Sequence, residues 1–418
     1  MRNSTYVVTA NGAQTVVITL PRNEDLQTGD RVTVTGQGTA RWQLAQNAQQ
    51  YMVTSGVPGN VVPGSAGSWV PRVVDAATPA QNWLGTAQSA SGNRIAAASP
   101  NGIYVSADGG ATWARSNAPA ASWAKVTMNS DGSRMAAAVT GGQLYTSNDF
   151  GATWTATAAG TQGWSGVYIS ENGQRIVGSV IGGSLHISND GGATFSAIPL
   201  TSNTDWRAVV GSADGTRLLA VASIYAGAAA NQGVYTSTDG GATWTRRPTT
   251  GPDTPTGNWS FAACSANCMR MAVLDNGGFP YVSDDGGATF AQRFGFSNWS
   301  GIAVSGDGSR VAALEPRNDA QGHTGYVFLG DGAGDWPFLG ENRWYSGVSL
   351  SNDGNWVVVA DTGPGGSGGR LYTSQGNRTS GGTLGSIGGG QSQGIEVTYQ
   401  GNGRFTITNH SGGSFTIR

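Results

Sequence analysis

Three carboxylates occupy one matching position in a repeated pattern. Asp275, Glu315 and Asp361 each stand five residues after a recurring turn, counting from Arg270, Arg310 and Trp356. Earlier in the chain the same position holds Ser99, Val139, Val180 and Ala222. Paired carboxylates on one groove can supply the acid and the nucleophile or base of glycoside cleavage. Clustered hard oxygen donors also suit Ca²⁺, and no other cofactor is indicated. The plainer role is turn initiation, since each acid precedes turn-forming residues: DNGG, EPRND and DTGPGG.

A second set is aromatic. Trp83, Trp123, Trp164, Trp206, Trp259, Trp299 and Trp344 recur at spacings of 40, 41, 42, 53, 40 and 45 residues. A ring of such side chains around an opening would offer an apolar face to a sugar. A residue required in every repeat equally serves the packing of that repeat, and both roles are open on the sequence. Cys264 and Cys268 flank one turn, CSANC, whose ends come within disulfide reach in a tight hairpin. Such a bond suits an oxidising compartment. His186, His323 and His410 show no metal-ligand spacing, and His323 falls in a segment read as a loop. No phosphate-binding or dinucleotide fingerprint stands in a strand-to-helix context.

These residues are positioned by repeats. After each Trp comes a turn: SASGNR, NSDGSR, SENGQR, SADGTR, SANCMR, SGDGSR and SNDGNW. Short Ala- and Val-rich runs flank each turn, the pattern of strand, turn, strand. The turn arginines, Arg94, Arg134, Arg175, Arg217, Arg270 and Arg310, recur too regularly for chemistry. A second motif follows: SADGGATW (106–113), SNDFGATW (147–154), SNDGGATF (188–195), STDGGATW (237–244) and SDDGGATF (283–290). LGDGAGDW (329–336) is a decayed copy that keeps Asp331, Gly332 and Trp336.

This motif resembles the Asp-box, or BNR, repeat of β-propellers. The resemblance implies a seven-bladed all-β propeller. It says little of activity, because the family includes sialidases, xyloglucanases, sorting receptors and photosystem assembly factors. The Arg-Ile-Pro motif and arginine triad of sialidases are not found here. The xyloglucanases of the family use two propellers. The box Asp is expected to accept backbone N–H groups of its own turn, a structural task.

The seventh repeat lacks a box, and RLYTS runs into QGNRTSGG. Residues 66–72, AGSWVPR, read like a box exit, so residues 66–74 are expected to supply the outer strand of the last blade. That clasp mixes both ends of the chain in one blade and removes open sheet edges. The domains expected are 1–65 and 377–418 as two halves of a small β-module, and 66–376 as the propeller. The halves contain GDRVTVTG, RWQLAQNAQQ and QGIEVTYQGNGRFTIT. They resemble a β-module of phage tail proteins and large bacterial surface proteins, here with the propeller inserted.

Composition narrows the function. Only 11% of the 418 residues are charged, the net charge is −2, and Lys125 is the one lysine. A nucleic-acid partner needs a basic footprint, which is absent. With 38% hydrophobic residues and 14 Trp the chain is not a disordered one. No secretory signal or long apolar run is visible, so no membrane insertion is expected. The reading that follows is a non-enzymatic recognition or adhesion protein of a virion tail or cell surface. It would bind a glycan or protein on the face opposite the Asp boxes and attach to a larger assembly through its β-module. The alternatives are a glycoside hydrolase using Asp275, Glu315 or Asp361, and a structural decoration subunit.

Overall fold

A computed structural model describes residues 3–47, 50–54, 69–74, 81–200, 204–223, 232–251, 257–293, 295, 297–318, 323–330, 338–339, 342–364, 368–375, 386–401, 404–413 and 415–417. Among these the regular structure is β-strand, apart from one 3₁₀ turn at Asn23–Asp25. No helix is long and apolar enough to cross a membrane among the described residues. The chain divides into two compact units, Trp69–Thr373, and Met1–Ser68 with Ser374–Arg418.

The larger unit is a β-propeller of antiparallel meanders. Its described strands fall into groups of four, one of them extended to five by Thr249–Thr250 beside Phe290–Gln292, and two adjacent groups are joined into one eight-stranded sheet by Met135–Gly142 and Gln162–Ile169. The second strands carry continuous buried runs: Ile95–Ser99 and Met271–Asp275 are buried at every residue, and Met135–Val139 and Val311–Leu314 likewise. Alternation is lost because each sheet packs against neighbours on both faces, the condition under which a short strand turns uniformly apolar. Small Ala residues let these central strands stack closely. Ala96, Ala97 and Ala98 are fully enclosed, as are Ala136, Ala137 and Ala138.

In such a meander the first and third turns lie at one end of each group. The inner-strand starts and the second connection lie at the other. At the first end, backbone hydrogen bonds link successive first turns around the unit. Ala90 N donates to Ser130 O, Glu171 N to Ala213 O, Ala213 N to Ala266 O and Ala266 N to Gly306 O. Asp307 N donates to Asn352 O, and Asn352 N to Ala90 O. Only between Ser130 and Glu171 does a side chain serve, the Glu171 carboxylate accepting from Ser130 N at 2.8 Å. Seven links thus close a circle.

The last group takes its outer strand from the other end of the unit. Trp69–Arg72 lies beside Leu371–Gln375 in the sheet. Trp69 is buried in one apolar cluster with Tyr345, Val357, Val359 and Tyr372. Arg72 Nε donates to Thr373 Oγ1 at 2.7 Å.

The smaller unit builds two sheets from both ends of the chain. Arg31–Gly36 pairs antiparallel with Gly394–Tyr399, and Arg41–Ala45 with Ser386–Gly389. Ser4–Val8 joins Arg31–Gly36 in parallel, and Thr15–Thr19 joins Arg41–Ala45 likewise. Trp42, Leu44, Val34, Ile395, Val397 and Phe405 are enclosed in its core. Trp42 Nε1 donates to the carbonyls of Gly390 and Gln393, both at 3.2 Å.

Candidate functional site

The Asp boxes spend their polar groups internally. In the second box, Thr153 N donates to Asp149 Oδ1 at 2.9 Å and Thr153 Oγ1 to Oδ2 at 2.5 Å. Ser147 Oγ donates to the same carboxylate, while accepting Gly151 N. The bonds recur around Asp108, Asp190, Asp239 and Asp285. The Thr hydroxyl and backbone N–H, with the Ser hydroxyl, hold Asp190 and Asp239 down at about 2. The decayed copy with Asp331, Gly332 and Trp336 lies outside the described residues.

The turn arginines brace this same end. Arg175 Nε donates to Asn189 Oδ1 at 2.9 Å, and its Nη1 to Gly215 O of the next group at 2.6 Å. Arg270 repeats this with Asp284 and Gly308. Arg94 stacks over Phe150, 3.7 Å from the ring centroid. In the seventh group Trp356 takes the arginine's place, and a Cβ at Gly109 would stand 2.5 Å from its ring. Only a glycine fits at that close approach, with its φ of +70°.

Six of the seven recurring tryptophans are buried. Trp83, Trp123, Trp164, Trp206, Trp259 and Trp299 are at most 3% exposed. Each packs edge-on against a third-strand ring of its own group: Tyr104, Tyr145, His186, Tyr235, Tyr281 and Phe328. An enclosed ring held in that way presents no face to a ligand. In the seventh group Tyr345, not Trp344, pairs with Asp361, as Trp259 pairs with Asp275. Tyr345 is buried and Trp344 is left half-buried.

The carboxylates are likewise spent within their own groups. Asp275 is fully buried and its Oδ1 accepts Asn258 N at 2.9 Å. Glu315 Oε1 accepts the Ser297 hydroxyl at 2.5 Å. Asp361 Oδ1 accepts Gly363 N at 2.8 Å. Burial pushes the Asp361 carboxyl up, against the Gly363 N–H and the nearby Arg343 charge. No group of three acids, His or Cys that could hold a metal ion forms among the described residues. The Ca²⁺ expectation therefore finds no assembled ligand set there.

Cys264 and Cys268 are disulfide-bonded. Cys268 sits at φ +46°, where the equivalent turns have Gly92, Gly132, Gly173, Gly215, Gly308 and Gly354, all at positive φ. His186 is half-buried against Trp164, and burial lowers its pKa. His323 begins the third strand of its group rather than lying in a loop, because the ladder continues to Asn318 opposite it. Its side chain lies outside the description, as do most of the long connections at 224–231 and 365–367.

One charged pair was not singled out in the sequence. Asp205 and Arg207 form an ion pair at the start of one inner strand, with Arg207 Nε and Nη2 on Asp205 Oδ2 at 2.9 and 2.6 Å. The i, i+2 spacing of opposite charges on a strand was the available signal. Arg207 also lines a central channel with Ser165, Ser260, Ser300 and Ser346, in a cavity of about 100 Å³. Ser165, Ser300 and Ser346 each donate to the carbonyl of the next group's inner aromatic, Trp206, Tyr345 and Trp83. A wider cavity of about 280 Å³ continues the channel toward the Asp-box end. Lys125 lines both.

Fold and repeats together define a β-propeller that carries BNR/Asp-box repeats. The family model for the BNR/Asp-box repeat matches residues 235–246. No curated protein matches the chain. Among solved structures, the RRP9 WD40 repeats align at TM-score 0.58 and 10% identity, over 76% of this chain and 99% of that one. YCF48 from Cyanidioschyzon merolae aligns at TM-score 0.52 and 13% identity, over 73% and 98%. An ancestral GH74 enzyme aligns at TM-score 0.46 and 16% identity; the match spans 71% of this chain and only 38% of that one. At these identities the likeness is one of fold.

Proposed function

We propose that the chain is a seven-bladed, non-enzymatic recognition protein of a virion tail or cell surface. It binds a glycan or a protein on the propeller face opposite the Asp boxes, and its other unit attaches it to a larger assembly. The observation that carries this reading is where the repeat is broken. The Asp-box end is consumed by bonds repeated from group to group. The other end holds the residues that differ: the Asp205–Arg207 pair, Glu315, and Asp361 near Arg343. Arg343 itself donates to the Tyr372 hydroxyl at 2.6 Å. Ligand recognition needs such departures, since a ligand rarely shares the symmetry of a repeat array.

The test is binding of the purified protein to arrays of bacterial and plant polysaccharides, beside Arg207→Ala and Asp361→Ala. Binding weakened by either variant supports the reading. Cleavage of a bound glycan, lost in Asp361→Ala, would replace it with the hydrolase alternative. Absence of glycan binding, together with no capture of a cell-surface protein, would leave the structural decoration role.

A further inference from the structure

The channel through the propeller holds a charge that the protein itself does not answer. Lys125 stands two residues after Trp123, just past a bulge in the inner strand Trp123–Met128. At the same position the other groups have Gly85, Gly166, Ala208, Phe261, Gly301 and Gly347. The ammonium therefore replaces small or apolar residues at one level of the ring. Its side chain lies deep in the channel and keeps part of its surface open to the lumen. No hydrogen bond or ion pair reaches it among the described residues.

Its surroundings are chosen against a free cation. Val167, Val209, Ala262, Ile302 and Val348 line the channel with it. The other cation of the lumen, Arg207, is already neutralised by Asp205. The one carboxylate on the wider cavity, Glu171, is held at the turn level by Ser130. Burial alone acts on the Lys125 amine, lowering its pKa, with no acid close enough to oppose it. A buried charge is costly unless it is paired. An anion in the lumen would pair it.

We propose that the channel is a binding site for a small organic monocarboxylate whose charge rests on Lys125. The apolar walls fix the rest of the ligand. An inorganic phosphate would require several free donors, whereas Arg207 is held by Asp205 and Ser165, Ser260, Ser300 and Ser346 donate to backbone carbonyls. A monocarboxylic acid with a short aliphatic or aromatic body matches one charge and apolar walls. The wider cavity, about 280 Å³, falls just below the range of pockets for drug-sized ligands, which suits a small acid. The site is independent of the surface recognition proposed above and stands if that reading fails.

Because Lys125 is the only lysine, lysine labelled at Cε yields a single side-chain NMR signal from the folded protein. That signal is followed while acetate, butanoate, benzoate and inorganic phosphate are titrated in turn. Calorimetry is run in parallel on the native protein and on Lys125→Met, which keeps length and removes charge. The expected result is saturable movement of the signal with butanoate or benzoate, and affinity at least ten-fold weaker in the variant. Equal affinity in Lys125→Met overturns the proposal. So does a signal moved by phosphate alone, or by none of the four anions. Should Lys125→Met not fold, the titration of the native protein decides by itself.

Discussion

The backbone N–H of Asn352 donates to the carbonyl of Ala90 at 2.8 Å, joining the last first-turn of the propeller to the first. The two residues are far apart in sequence, and the bond completes a circle that no single group could make. Ser346 Oγ to Trp83 O at 2.7 Å seals the same boundary at the other end of the strands. The boundary between the last group and the first is thus held at both ends of the strands.

That closure also depends on the clasp strand. Trp69 is buried against Tyr372 and Val359 on strands of the last group. Trp69→Ala should cost about 3–5 kcal/mol, the range for deleting a buried Trp. Val70→Ala on the same strand should cost little, because Val70 is 45% exposed. Urea unfolding followed by Trp fluorescence measures both. A Trp69→Ala cost as small as that of Val70→Ala would show that Trp69 contributes no packing.

The Asp boxes set an acid limit on stability. Asp190 and Asp239 have folded values of about 2, below the ordinary 3.8. A depressed folded value contributes stability that is present above pH 3.8 and lost as pH falls toward 2. The melting temperature should therefore drop steeply between about pH 4 and pH 2. In Asp239→Asn the drop should be shallower, from a lower starting stability. A pH series of thermal melts gives the comparison, and parallel curves would exclude the boxes as its cause.

Lys125 gives a pH dependence of the same sign in a more alkaline range, but as a cost of burial rather than a gain. Burial lowers its folded pKa below 10.5, so the unfolded chain holds the proton more tightly. Stability should rise with pH from the folded value up to 10.5. Lys125→Met should abolish that rise and melt higher than the native protein at neutral pH. Calorimetric scans between pH 6 and about 10 read this out. A native protein that melts higher than the variant at neutral pH would mean the ammonium is stabilised by its surroundings.

Reducing the Cys264–Cys268 bond should cost little. The two residues are four apart in sequence, so the closed loop is short. Loop-closure entropy then stabilises by at most about 2 kcal/mol. Cys268 also occupies a left-handed position that glycine fills in the other turns. Cys264→Ala with Cys268→Gly should thus recover much of the stability lost by Cys264→Ala with Cys268→Ala. Melts of the two double variants compare them directly.

The repeat pattern was legible because each group must solve the same local problem. The turn glycines, the Ser and Thr around each box Asp and the Ala-rich central runs are short-range requirements, so they are written in consecutive residues. The clasp at Trp69 was legible for the same reason, since it copies a box exit. The fate of the side chains was not. Trp206 and Trp299 left a rim role open beside the core role that their recurrence favours, and only the packing of neighbouring sheets encloses them. The inner aromatic of the seventh group shifts from Trp344 to Tyr345 through strand register, which depends on the partner strand. Asp275, Glu315 and Asp361 share a position along the chain, yet each accepts a hydrogen bond within its own group. Lys125 stood out in the sequence only as the one lysine. Its place in the lumen exists only because inner strands far apart along the chain surround one channel.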